Sequence, residues 1–175
     1  FRGGSLREVY VDVDDGVLVE REGPPSTEEL AGYIEANDIK LAEGQTAEIC
    51  LAVRPWIETV SRALIEGFIL TVDYGAETSS LYDPERMSES LVCHYQYQLN
   101  TQPLARIGRQ DITAQVDFGN LRRCGMLAGL DVIGDVSLAV FLVGFGAGEG
   151  LSREHLGQPP DADNVRQYLG LRHLL

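Results

Sequence analysis

Phe68-Ile69-Leu70-Thr71-Val72-Asp73-Tyr74-Gly75 decides the fold. Five residues run almost without a polar break before an acid, an aromatic and a glycine. A short apolar run with no alternation suits a strand covered on both faces, as in a parallel sheet. The preceding stretch, Pro55 to Glu66, reads as a helix, because Trp56, Ile57, Val60, Ala63 and Leu64 fall on one face at helical spacing. Pro55 suits its first turn, and Gly67 suits a left-handed residue just past its end. A helix feeding a buried strand is half of a βαβ unit. Ligands of open α/β sheets bind outside the carboxyl ends of the strands. Asp73, Tyr74 and Gly75 are expected there; the other reading of Asp73 is a cap on the following turn.

Upstream, Glu8 to Arg21 reads as a β-hairpin, with Val9, Val11 and Val13 alternating and Asp15-Gly16 as the turn. Pro24-Pro25 breaks the strand. Ser26 with Glu29 forms a capping box that predicts a helix carrying Leu30, Tyr33 and Ile34 and ending at Asn37-Asp38. Gln45 to Leu51 is a short strand or a loop. Downstream of Gly75, the pattern to about Gln110 is irregular and predicts a long loop holding Tyr82, His94, Tyr95 and Tyr97. His94 is either a base or hydrogen-bond partner in a site, or a surface residue.

Asp111 to Phe118 reads as an extended lead-in, with Asp117 capping a helix that presents Leu121, Cys124 and Ala128 and closes at Gly129. Leu130 to Val136 is the next strand candidate. Leu138 to Val143 with Gly144-Phe145-Gly146-Ala147-Gly148 imitates a strand entering a nucleotide loop. No acid-tipped second strand follows, and Ser137 could equally cap a short apolar helix. The tail from Ala162 to Leu175 has helical spacing.

Composition narrows the partners. A formal net charge of -13 over 175 residues argues against nucleic acid, whose phosphates would be repelled. It permits a basic protein partner, although solubility alone would explain it. No apolar run approaches the roughly 20 residues a membrane span needs. Cys50, Cys93 and Cys124 are odd in number, show no metal spacing, and read as reduced thiols. A chain opening at Phe1 rather than Met is expected to be an excerpt or a processed product.

Two segments carry a resemblance. Gly67-Phe68-Ile69-Leu70-Thr71-Val72-Asp73-Tyr74-Gly75 is similar to a "G-x-hydrophobic-DYG" segment. Gly108-Arg109-Gln110-Asp111-Ile112-Thr113-Ala114-Gln115-Val116-Asp117-Phe118 is similar to a "G-x-x-D-I-T-A-H-V-D-F" segment. Both belong to the MidA-like class I S-adenosylmethionine-dependent methyltransferases, which include a mitochondrial complex I assembly factor that methylates arginine. Their order and separation also fit, as do Phe141-Leu142 and Gly144. The resemblance covers Glu48 to Gly146 and, more weakly, the hairpin. Gln115 stands where the family has His, which leaves proton transfer at that position open.

The resemblance implies an α/β fold: the C-terminal part of a Rossmann-like methyltransferase sheet with an inserted β-hairpin and helix. Residues 1–175 would form a single domain. Within it, 1–50 would be the insertion, 51–146 the sheet core with its long loop, and 147–175 a linker and C-terminal helix. S-adenosylmethionine would be the cofactor, held by a glycine-rich loop upstream of Phe1. The substrate would be a basic protein, the compartment a bacterial cytoplasm or the mitochondrial matrix, and a homodimer one option for the assembly. Asp73 and then Asp111 would bind and orient the acceptor guanidinium. Tyr74, Gly75, His94, Thr113 and Gln115 would line its pocket. A non-catalytic acidic assembly module that binds a basic protein is the alternative.

Overall fold

The computed structural model describes residues 1–87 and 91–144. The chain divides into two compact units, Phe1–Asp131 and Val132–Leu175.

The first unit opens with the predicted hairpin. β1 (Glu8–Asp14) pairs antiparallel with β2 (Val17–Gly23), in a register that sets Val11 opposite Glu20. Asp15 (φ 48°) and Gly16 (φ 79°) both take positive φ, the two-residue turn whose twist matches the strands. α1 (Glu29–Ala36) follows, but the capping box does not form. The Ser26 amide donates to Glu8 Oε2 instead, and Thr27 Oγ1 accepts from the Glu29 amide at 3.2 Å. Ser26 is held by the hairpin, so the helix starts on the next hydroxyl. Asp38 (φ 49°) turns the chain out of α1, as the sequence predicts.

α2 (Val53–Ala63) begins two residues before Pro55 and stops short of Glu66. Its exit residue, Leu64, is extended, so Gly67 lies beyond the cap rather than in it. The next segment departs most from expectation. Residues 68–73 make no ladder, and Phe68, Leu70 and Val72 are 83%, 66% and 60% exposed. A strand exists only where an edge finds a partner, and among the described residues that happens at the far end of the stretch. There β3 (Gly75–Ala76) runs parallel to β7 (Val116–Asp117). Asp73 and Tyr74 therefore precede the ladder instead of following its carboxyl end.

The predicted long loop is largely structured. α3 (Thr78–Leu81) follows β3, and β4 (Val92–Tyr95), β5 (Gln98–Asn100) and β6 (Asp111–Thr113) form an antiparallel sheet in the order β5-β4-β6. Gln96 (φ 47°) and Tyr97 (φ 63°) make the β4–β5 turn without glycine or asparagine, which hid this hairpin from sequence reading.

α4 (Phe118–Leu127) closes the unit and packs against α2. Its end has the predicted geometry. Gly129 takes φ 82°, and the Leu130 amide reaches back to the Gly125 carbonyl at 3.0 Å. Tyr33, Ile39, Leu81 and Tyr82 form the hydrophobic cluster, flanked by Ile34, Leu41, Ala47 and Ile49.

Leu130 to Val136 forms no strand, and Ile133 is 78% exposed. In the second unit, α5 (Leu138–Gly144) takes the helical alternative: Ser137 Oγ accepts from the Val140 amide at 3.3 Å. The nucleotide-loop reading loses its entering strand, and Phe145 to Gly148 and the predicted tail helix lie outside the described residues.

Candidate functional site

The parallel bridge between β3 and β7 fixes the first motif segment against the second. Gly75 is registered with Val116 and Ala76 with Asp117, and the Val116 amide donates to the Tyr74 carbonyl at 2.9 Å. Gly75 is required by this approach. A Cβ there would overlap the Val116 carbonyl oxygen and sit 2.7 and 2.9 Å from the Phe118 ring. The corner that results leaves Asp73 exposed and Tyr74 81% exposed. Asp73 Oδ1 accepts from the amide of its immediate neighbour, Tyr74, at 2.7 Å, which holds the carboxylate against its own backbone. The carboxylate of Asp73 thus lies on an open surface and, among the described residues, accepts only from its neighbour's amide, not from a following turn.

The second group of candidates lies on the three-stranded sheet. Val92 is registered with Thr113 and His94 with Asp111 on the β4–β6 ladder. Directly opposed residues share a face, so His94, Asp111 and Thr113 are neighbours. All three are exposed. Gln115, also exposed, accepts a long 3.5 Å bond from the Arg86 guanidinium. The structure thus joins His94 to Asp111 and Thr113, and Tyr74 and Gly75 to Val116. Asp73 stands two residues and Asp111 five residues before the registered Gly75–Val116 pair, on segments entering it in the same direction.

A cavity of about 600 Å³ lies elsewhere, between the hairpin and α1, with Leu30, Ile34, Leu41 and Tyr82 in its wall. None of the predicted site residues lines it.

Asp117 caps α4, as the sequence predicts: Oδ1 accepts from the Asn120 amide at 2.9 Å. The sequence did not reveal the rest of its surroundings. Thr78 Oγ1 donates to the same oxygen at 2.5 Å, and the Tyr33 hydroxyl donates to Oδ2 at 2.6 Å. The Tyr82 hydroxyl lies 3.2 Å from that of Tyr33 and 2.8 Å from the Glu48 carbonyl, to which it donates. Burial, then the bond to Asp117, drives the Tyr33 hydroxyl far above the ordinary tyrosine range. Burial likewise pushes Tyr82 up to about 12. Beside this network, Arg123 donates to Asn37 Oδ1 and Asn120 Oδ1, both at 3.0 Å, clamping the end of α1 to α4. Arg122 grips both carboxylate oxygens of Glu77, at 2.7 and 2.5 Å. The one available signal was the tyrosine on the apolar face of α1, since a buried tyrosine hydroxyl needs a partner.

Comparison with known proteins bears on the family and the fold. The chain is similar to a crystal structure from Burkholderia thailandensis described as "a COG1565 superfamily member and likely methyl transferase", bound to S-adenosyl-homocysteine. The TM-score is 0.82 at 28% identity, covering 99% of this chain and 43% of that one. It is also similar to a native crystal structure of a COG1565 superfamily protein from the same organism. There the TM-score is 0.83 at 28% identity, covering 99% and 44%. The chain therefore spans less than half the length of these proteins. No curated protein matches. The α/β architecture is accordingly that of a methyltransferase-like fold, of which this chain supplies a C-terminal part. Residues 1–136 match one family model, and the chain belongs to that family, described as "Putative S-adenosyl-L-methionine-dependent methyltransferase".

Proposed function

We propose that this chain forms the acceptor side of an S-adenosylmethionine-dependent methyltransferase acting on a protein nitrogen, with arginine as the first acceptor to test. The observation that carries the reading is the Asp73-Tyr74 corner: an open carboxylate and an exposed ring, held by a backbone approach that tolerates only glycine at position 75. A guanidinium stays protonated and is a poor nucleophile. A carboxylate that binds it through two parallel hydrogen bonds orients one nitrogen and localises the charge on the others. Asp73 would supply that contact, and Tyr74 would wall the pocket. Asp111, with His94 and Thr113 beside it, offers a second polar surface for the acceptor protein.

The cofactor needs a glycine-rich turn between a strand and a helix N-terminus. Among the described residues no such turn exists, and the strand-to-helix junction at α4 is already filled by the carboxylate of Asp117. The roles given above are accordingly contacts to the acceptor. When bound by the longer protein, the cofactor supplies the sulfonium methyl.

Titration calorimetry of the full-length protein with S-adenosylmethionine tests the class. Binding is expected, and its absence from a folded protein favours the assembly-module alternative. Asp73→Asn in the full-length protein should lower methyl transfer to an arginine-containing protein, with a respiratory complex I subunit the first to try. Turnover equal to wild type removes Asp73 from the chemistry.

A further inference from the structure

The Asp73-Tyr74-Gly75 corner is not held by the β3–β7 bridge alone. The residue that follows Val116 in that bridge, Asp117, is 7% exposed, and its carboxylate collects donors from three separate elements. Thr78 of α3 and the α4 amide of Asn120 share Oδ1; Tyr33 of α1 holds Oδ2. α1 is therefore fastened to the second motif segment by a bond spanning 84 positions of sequence. A bond to a charged group in a buried place is among the stronger ones a fold makes. Rotation of the Asp117 backbone would carry Val116 with it, and Val116 donates to the Tyr74 carbonyl.

We infer that Tyr33 is a positioning residue: through Asp117 it fixes the β7 backbone that sets the direction of Asp73 and Tyr74. The hairpin and α1 are then part of the site's scaffold rather than an appendage. The catalytic consequence rests on the methyltransferase reading above; the geometric one does not. Tyr33→Phe keeps the ring, its edge contact with Tyr82 and the core volume, and removes the donor to Oδ2.

The test uses amide hydrogen exchange and methyl-transfer kinetics on the full-length protein. In Tyr33→Phe the Val116 amide should exchange roughly tenfold faster or more, from loss of a charged hydrogen bond, while the amides of α2 keep their wild-type rates. The kcat should fall by a similar factor with KM for S-adenosylmethionine unchanged. Tyr82→Phe, whose hydroxyl does not touch Asp117, should leave Val116 as in wild type. Unchanged exchange at Val116, or an equal rise in every helix, overturns the inference. If wild type transfers no methyl group, the methyltransferase reading fails, and the Val116 exchange rate still decides the role of Tyr33.

Discussion

Gly75→Ala probes the contact on which the geometry of the Asp73-Tyr74 corner depends. The added methyl would overlap the Val116 carbonyl oxygen and lie 2.7 and 2.9 Å from Phe118 ring carbons. The carbonyl is backbone in a two-residue parallel pair, so it cannot swing aside as a flexible side chain would. β3 and β7 must separate. Overpacking of this kind costs about 1–3 kcal/mol. Losing the 2.9 Å bond from the Val116 amide to the Tyr74 carbonyl adds roughly 1 kcal/mol. The sum is on the order of 3 kcal/mol. Gly32→Ala is the control. It lies within α1, has open space around its missing Cβ, and should stabilise by about 0.5–1 kcal/mol through helix propensity alone. Urea unfolding of the two variants and wild type, followed by circular dichroism, gives both differences. A Gly75→Ala protein within about 1 kcal/mol of wild type would refute the claim that close backbone approach fixes this corner.

Two further outcomes follow from the Asp117 network. Asp117→Ala removes the α4 cap, about 1 kcal/mol, and takes the charged acceptor from the buried Tyr33 hydroxyl, which keeps only the Tyr82 hydroxyl at 3.2 Å, about 1.5–3 kcal/mol more. Denaturant unfolding should show a loss of roughly 3 kcal/mol, and a loss below about 1 kcal/mol would contradict it. The second concerns alkaline pH. Tyr33 and Tyr82 keep protons in the fold that an unfolded tyrosine gives up near 10.0. The unfolded state then binds fewer protons, so stability is level below about pH 10 and falls as pH rises toward about 12. The Tyr82 share is on the order of 3 kcal/mol. Stability measured against pH should decline less steeply above pH 10 in Tyr82→Phe, and identical slopes would oppose the reading.

Local chemistry was legible wherever one residue's backbone preference settled the matter. Asp15-Gly16 set the hairpin turn, Asp38 ended α1, Asp117 capped α4, Gly129 closed it, and Ser137 capped α5. These are contacts within a few residues, governed by φ and by the nearest free amide. The two motif segments, read together, also pointed to the methyltransferase family that the comparisons show.

Pairing across the chain was not legible. An apolar run such as Phe68 to Val72 states that a segment can be buried, but only neighbouring strands make it a covered strand; here the ladder begins at Gly75. The β4–β5 turn was invisible because Gln96 and Tyr97 take positive φ under the constraint of their strands, not by their own preference. The association of His94 with Asp111 and of Tyr33 with Asp117 was decided by tertiary structure alone. Sequence carries short-range conformational preference directly, whereas register and buried hydrogen-bond partners are selected by the whole fold at once.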